Sequence, residues 1–489
     1  MGERIPHWLD KQADLNPDRL AIETADGRRL SFAQLRNKSR GMAHALIEEG
    51  VQQGDHVALL SNNHPLFPIF IHAISYIGAT AILINTRLTP EEISYQLNDA
   101  QVSHFYVEKT CYPKALETVE NMNIPVKTVE GLNLDKTGSS DLQTELHMDD
   151  VYTMMYTSGT TGNPKAVMHT YGNHWHSAIA SALNLGFQQE DKWLICLPLF
   201  HVGGFSVLMK SVIYGMPTLL LEKFDVTLVH RSIMDKGITH VSVVTVMLQR
   251  LLEELGDQTY PDYFRCMLLG GGPVPENLLQ ETAARKIPVF QTYGMTETSS
   301  QVATLSPESA FTKLGSAGKA LSTAQLHIDS EKNGEIGEIV VQGPMVSKGY
   351  YNRPAREEAA LWTGDLGYKD EDGFLYVVDR VNDVIISGGE NIYPAEVESV
   401  LSALPGIREA GVTGCYDQQW GEVPEAYLVK EKGADLTEEK VMEWCEERLA
   451  KFKWPVNIYW VDELPRNASN KILRRRLPFL FESRDTKWK

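Results

Sequence analysis

A chain of 489 residues is too long for a single hydrophobic core, and 43% hydrophobic residues are enough to build two or three. Its formal net charge of -18 sets up a mean field that repels nucleic acid and anionic membranes, so neither is expected as a partner and a small molecule is. The five cysteines, Cys111, Cys196, Cys266, Cys415 and Cys445, lie far apart without a CxxC pair, as reduced structural thiols of a cytoplasmic protein would. The charged start MGERIPHWLDKQ lacks a signal-peptide core, and no apolar run of about 18 residues occurs, so membrane insertion is not expected.

In chain order, VALL (57–60) reads as a strand, 64–77 as a helix, ATAILIN (79–85) as a strand and TPEEISYQL (89–97) as a capped helix. That is βαβα grammar, and it returns in 193–221 and in 239–270, where HVSVVTV precedes the helical MLQRLLEEL. The fold class that follows is α/β with mostly parallel sheets. From Gly334 the texture changes to short alternating strands, EIGEIVVQG and FLYVVDR, which form a β-rich closing subdomain. After Arg380 a new segment begins, with helices predicted over 394–403 and 437–451 and strands over 408–413 and 425–430, a small α+β domain of its own. Residues 1–380 are thus assigned to a large N-terminal domain and 384–489 to a C-terminal one, joined at 381–383. The stretch from Lys451 to Lys489 holds ten Lys or Arg against four Asp or Glu, a solvated basic tail or an electrostatic lid for a polyanion.

Four short motifs carry chemistry. YTSGTTGNPKAV (156–167) follows the β-prone YTMMY and offers glycines, hydroxyls and Lys165 to an anion. Its spacing is not that of a Walker loop, because Lys165 follows Gly162 by three and Ala166 stands where a magnesium-binding hydroxyl would be. In YGMTE, Tyr293 suits a base, Gly294 close approach, Thr296 a phosphate and Glu297 a magnesium ion, although Glu297 also suits the first turn of a helix. Asp365 in TGD suits ribose hydroxyls or an Asx turn, and Arg380 a ribose contact or open solvent. Lys471, set apart from the arginine run in RNASNK, is placed to reach a phosphate.

Together with LPLFH, LLGGGP, DRVNDVIISGGENIYPAEVE and LPRNASNKILRRRL, these motifs resemble, in order and wording, the acyl-adenylate-forming superfamily of acyl-CoA synthetases, adenylation domains and luciferases. The resemblance runs from about Trp8 to Leu477. It implies ATP, magnesium and CoA as cosubstrates and cofactor. Thr157, Ser158, Gly159, Thr160, Thr161, Gly162 and Lys165 would close over the ATP phosphates; Gly271 and Gly272 would flank adenine with Tyr293, Gly294 and Met295. Thr296 would touch the α-phosphate, Glu297 would hold the metal, and Asp365 and Arg380 would bind ribose. Lys471 would bridge the acid and the α-phosphate during adenylation. The C-terminal domain is then expected to be mobile, turning about Asn382 so that Ser387, Gly388 and Gly389 replace Lys471 for attack by the thiol. Ala166, Asn382 and Asn470 depart from the family's commonest wording, and Asn382 leaves the hinge without its usual charge.

No carrier motif of the DSL type follows the last domain, and Trp420 resembles the aromatic that stacks on CoA adenine, so free CoA is the expected acceptor and a carrier protein the alternative. The pocket stretches NHWHSAIASALNLGF, LPLFHVGGFSVLMKSVIYGM and TETSSQVATLSPE resemble those of family ligases for a dianionic aryl acid; a substituted-benzoate ligase is the runner-up. His201, Gly203, Gly204, Ser299, Ser300 and Gln301 are the expected acid-binding residues. His201 is alternatively an aromatic gate between the half-reactions, or a satisfied core histidine. Oligomeric state leaves no mark in the sequence.

Overall fold

The computed structural model describes residues 2–480 apart from 158–163, 272, 273, 275, 311, 333, 355, 357, 358, 388, 389, 418, 419 and 468–470. Strands Val126–Thr128, His104–Val107, His56–Leu60, Thr80–Ile84 and Val151–Thr157 run parallel in a seven-stranded sheet, closed by the antiparallel Lys165–Thr170 and Gly349–Tyr350. A nine-stranded sheet has Cys266–Leu269 and His240–Val243 at its parallel centre and the antiparallel pair Val289–Met295 and Ser300–Leu305 toward one edge. Both sheets bury their faces, which is why strands such as TAILI are buried at every position rather than alternating.

Helices fill the space between the two sheets. Leu66–Ile77 has 11 of its 12 residues buried, the pattern of a helix covered on every side. One core joins its Phe70 and Ile74 to Leu59, Leu83 and Met155 of the first sheet and Ile22, Trp193 and Leu220 of the second. Helix starts follow their caps: Thr89 and Glu92 exchange side-chain and backbone hydrogen bonds ahead of Pro90–Asp99, and Thr170 and Asn173 do so ahead of Tyr171–Leu185. Four antiparallel strands, Gln325–Asp329, Gly337–Gln342, Leu361–Lys369 and Leu375–Arg380, close this large unit. The small unit that follows is α+β, with helices Pro394–Ser402 and Glu438–Glu446 packed on a sheet of its own.

Two elements differ from their expected bounds. The hairpin of the small unit is longer, with Ile407–Asp417 paired to Gly421–Lys430 out to Asp417 opposite Gly421. Its outer half lacks apolar alternation and is held by the ladder and by Trp420 N–H donating to Asp417 Oδ1 at 2.8 Å. The helix expected to reach 451 ends at Glu446, because the chain turns to bury Leu449, whose carbonyl accepts the Trp454 indole N–H at 2.9 Å.

The interhelical core also contains imidazoles. His72 is fully enclosed, its Nε2 has no hydrogen-bond partner, and burial draws its pKa from 6.5 down to about 4. His7, stacked on Tyr76 at 4.0 Å, is lowered by the same cause and by the nearby His72 and Arg40. Protons therefore bind the unfolded chain first: these groups leave stability intact above pH 6.5 and erode it as pH falls from 6.5 toward 4. Urea midpoints should drop across that window, and His72→Leu should flatten the drop.

Candidate active site

The loop that opens the first motif springs from a hairpin in which Thr157 and Lys165 stand opposite each other across the ladder. Ala166 is fully buried in the core behind it, so the methyl group that replaces the usual glycine is accommodated. The Lys165 ammonium lies 5.2 Å over the Tyr350 ring, and the Tyr350 hydroxyl donates to Glu297 Oε1 at 2.9 Å. Beside them opens a cavity of about 370 Å³ lined by Glu297, Tyr350, Arg356 and Trp362. Arg356 donates to the Ser347 carbonyl, while its Nη1 is buried without a partner. Two cations and one carboxylate around an open volume fit a triphosphate with its magnesium ion. One protein carboxylate suffices for magnesium, which keeps most of its shell as water and phosphate.

Strand Val289–Met295 runs into the turn Thr296–Thr298 and sets the YGMTE residues along one rim. A Cβ on Gly294 would lie 2.1 Å from the Ser300 carbonyl oxygen, so only glycine allows the returning strand to cross there. The turn is fixed from several sides: His169 Nε2 donates to the Thr296 carbonyl at 2.7 Å, Ser347 N–H to the Glu297 carbonyl at 2.7 Å, and Thr298 Oγ1 to the Ser300 carbonyl at 2.8 Å. The Tyr293 hydroxyl donates to Asp365 Oδ2 at 2.8 Å, and Arg380 Nε meets Asp365 Oδ1 at 3.1 Å across the ladder that pairs them. Burial, then the Asp365 carboxylate, holds the Tyr293 hydroxyl well above the usual phenol range. Gly271 adopts φ +93°, a turn that favours glycine, with Val244 against it.

Lys471 reaches this rim from the small unit. Its backbone is pinned by Asn467, whose Oδ1 accepts the Lys471 N–H and whose N–H donates to the Lys471 carbonyl, each at 2.9 Å. The side chain keeps solvent contact at the mouth of a cleft crowded by protein. That crowding lowers the pKa of the ammonium, Arg380 adds to the effect, and Asp365 and Glu297 oppose it. His201 senses the same charge: burial, then Arg87, then Lys471, bring its pKa to about 4. Four expected site residues, Glu297, Asp365, Arg380 and His201, are thus within electrostatic reach of a fifth, Lys471.

On the acid side, His201 precedes helix Val202–Tyr214. Asn63 fixes the LPLFH loop by donating to the Leu197 carbonyl at 3.0 Å and accepting Leu199 N–H at 2.8 Å. A Cβ on Gly204 would stand 2.4 Å from the Pro198 carbonyl oxygen, whereas one on Gly203 would make ordinary contact, so Gly204 alone of the pair is sterically required. Ser300 Oγ lies 3.4 Å from Ser206 Oγ on that helix. Ser299 departs from expectation: in a left-handed backbone (φ 58°) it turns inward, fully buried, and its hydroxyl donates to the Met345 carbonyl at 2.9 Å. Its hydroxyl is thereby engaged by the protein itself. Gln301 is buried, its amide near Thr304 Oγ1 at 3.5 Å and its Oε1 unpartnered.

Sequence reasoning missed Lys210. It sits four residues, one helical turn, after Ser206, wholly buried within an apolar helix, with Nζ 4.8 Å over the Trp193 ring and no hydrogen-bond partner. Burial draws its pKa from 10.5 to about 8, opposed by Cys266. Arg87, close enough to act on His201, was also missed. The available signal was a lone lysine at helical spacing in GGFSVLMKSVIYGM.

The small unit carries the residues expected at CoA. Ser387 is buried and pairs with Gly421, which sets it beside the hairpin turn bearing the half-exposed Trp420. Ser158, Gly159, Thr160, Thr161, Gly162, Gly272, Gly388 and Gly389 lie outside the described residues, as does the side chain of Asn382.

Two family models match this chain, "AMP-binding enzyme" over residues 9–351 and "AMP-binding enzyme C-terminal domain" over 396–471. A 2-succinylbenzoate–CoA ligase of Oceanobacillus iheyensis is 52% identical over 98% of this chain and 100% of its own length. Solved structures of o-succinylbenzoate CoA synthetase from Bacillus subtilis are 44% identical over 97% of this chain. The complex with the acyl-adenylate intermediate OSB-AMP superposes with a TM-score of 0.92 over 98% of that chain, and the complex with ATP and magnesium ion with 0.91 over 100%. A double mutant of the same protein, bound with its product analogue OSB-NCoA, gives 0.74 over 98%.

Proposed function

This chain belongs to the AMP-binding enzyme family, and from that premise we propose that it is an acid–thiol ligase that joins o-succinylbenzoate to CoA, releasing AMP and pyrophosphate, the activation of this acid in menaquinone biosynthesis. ATP and CoA are cosubstrates, and magnesium accompanies ATP. The carrying observation is Lys471, delivered from one unit to a rim where Glu297, Asp365 and Arg380 wait on the other.

In the first half-reaction an oxygen of the aliphatic carboxylate attacks the α-phosphorus in line and pyrophosphate leaves. No general base is needed; the barrier falls by positioning and by neutralising charge as it moves. Lys471 supplies a cation between carboxylate and α-phosphate, Lys165 and Arg356 face the departing pyrophosphate, and Asp365 with Arg380 holds the ribose. Bound to Glu297, magnesium would neutralise phosphate oxygens. In the second half-reaction the CoA thiolate attacks the acyl carbonyl and AMP leaves. For this step the small unit, residues 384–489, turns about 381–383, withdraws Lys471 and brings in Ser387 and its glycines. The poorer fit to the product-analogue complex than to the adenylate complex of one relative supports a second arrangement.

The acid has a second, aromatic carboxylate that must not be buried unpaired. Ser206 and Lys210 share one face of helix Val202–Tyr214, with Ser300 of the neighbouring strand 3.4 Å from Ser206, and Lys210 is the counter-charge this reading requires. A panel of acids assayed for CoA-dependent AMP formation tests the assignment: the succinylbenzoate dianion should be preferred. If benzoates or phenylbutanoates turn over equally well, a substituted-benzoate ligase replaces it.

A further inference from the structure

Arg474 opens the 3-10 turn Arg474–Arg476, three residues beyond Lys471, and has no part in the chemistry above. Its guanidinium spans three carboxylates. Nη1 donates to Asp379 Oδ1 and to Asp383 Oδ2, each at 2.8 Å, while Nε and Nη2 hold Glu398 at 2.8 and 2.7 Å. Glu398 belongs to helix Pro394–Ser402 of the same small unit, but Asp379 lies in strand Leu375–Arg380 of the large one and Asp383 in the turn Val381–Asp383 between them. Asp379 also accepts the Ala395 N–H, in the first turn of that helix, at 2.7 Å. One carboxylate of the large unit, its side chain 2% exposed, therefore ties down two separate pieces of the small unit.

We propose that Arg474 is a positioning residue for adenylation: with Asp379 and Asp383 it bolts the small unit in the orientation that presents Lys471, and the bolt opens before the thiol step. This rests on the two-orientation reading above. Lys471 and Arg474 move together, because Ile472 and Leu477 on either side of the arginine pack with Tyr427 and Leu464 of the small unit. A turn of that unit carries Arg474 and Ala395 away from Asp379 at once and leaves the buried carboxylate with the Arg380 N–H of its own strand, 2.7 Å from Oδ1, and without its counter-charge. Such a contact holds one orientation sharply, whereas an exposed ion pair would yield gradually. Asp383, 31% exposed, is the arm that water relieves most easily, so it sets how readily the bolt releases.

The test uses the full-length enzyme and measures acid-dependent ATP–pyrophosphate exchange separately from CoA-ester formation from supplied acyl-adenylate. Asp383→Asn removes one arm and leaves Asp379 and Glu398 paired. It should lower exchange about tenfold, the scale of one charge-assisted hydrogen bond, with thioester formation unchanged or faster and the melting temperature unmoved. Arg474→Lys, a point charge that cannot fork over three carboxylates, should give the same split more strongly. Equal loss in both half-reactions, as for a merely structural cluster, or no change in either, overturns the proposal. Lys471→Ala assayed alongside separates the two levels: if it parts the half-reactions and Asp383→Asn does not, the bolt alone is wrong; if neither does, the two-orientation reading fails.

Discussion

Lys471→Ala should lower acid-dependent ATP–pyrophosphate exchange by at least about 10²–10³-fold, the cost of removing one preorganised donor from a developing charge, while thioester formation from supplied acyl-adenylate stays within a few-fold. The asymmetry follows from where the ammonium stands. It lies within reach of the charges of Glu297, Asp365 and Arg380 in the arrangement described here, and in the proposed mechanism it is needed only while charge passes between acid, α-phosphate and pyrophosphate. Its lowered pKa adds a pH signature: the adenylation rate should fall on the alkaline side at a pH below the ordinary lysine range, as the ammonium loses its proton. Lys471→Arg, which stays protonated, should lose that limb even where its rate is poor. Equal loss of both half-reactions on Lys471→Ala would remove the lysine from its proposed role.

How far the sequence could be read depended on the range of the interactions. Local rules found the helix at Pro90–Asp99, because Thr89 and Glu92 sit three apart whatever the tertiary fold. They also found the buried strands, whose apolar runs need no partner to be seen. The YGMTE residues could be named because each type suits one part of a nucleotide, but not the reason Gly294 is glycine, which is a carbonyl of the neighbouring strand 2.1 Å from where a Cβ would stand. Ser299 and Ser300 look alike in TETSSQ. A left-handed backbone at the first sends its hydroxyl to Met345 and leaves the second toward Ser206. Arg474 was hidden for a different reason: it lies in an arginine run that reads as solvated charge, and its partners Asp379, Asp383 and Glu398 are 76 to 95 positions away.

Lys210→Met should lower kcat/KM for o-succinylbenzoate by about tenfold to a hundredfold, the equivalent of a charge-assisted hydrogen bond of about 1.5–3 kcal/mol at 1.4 kcal/mol per decade. The same change should cost little with the analogue in which hydrogen replaces the aromatic carboxylate, so the preference for the dianion collapses. The argument starts from a cost already present in the free protein. A wholly buried amine with no hydrogen-bond partner is unfavourable in either protonation state, and burial has shifted Lys210 to about 8 to lessen it. Packing alone does not explain a lysine there; a carboxylate arriving with the substrate, as proposed, would. With the substrate absent, Lys210→Met should therefore leave the melting temperature unchanged or raise it, the usual sign of a site that trades stability for function. The pH dependence has a definite sense. Below about 8 the free enzyme carries the ammonium and attracts the dianion; above it the amine is neutral, so kcat/KM for the acid should fall. Lys210→Arg, charged throughout, should abolish that limb. If the variant discriminates between the two acids as the parent does, Lys210 is a packing residue and the aromatic carboxylate is held elsewhere, with Ser300 and Gln301 next to be tested.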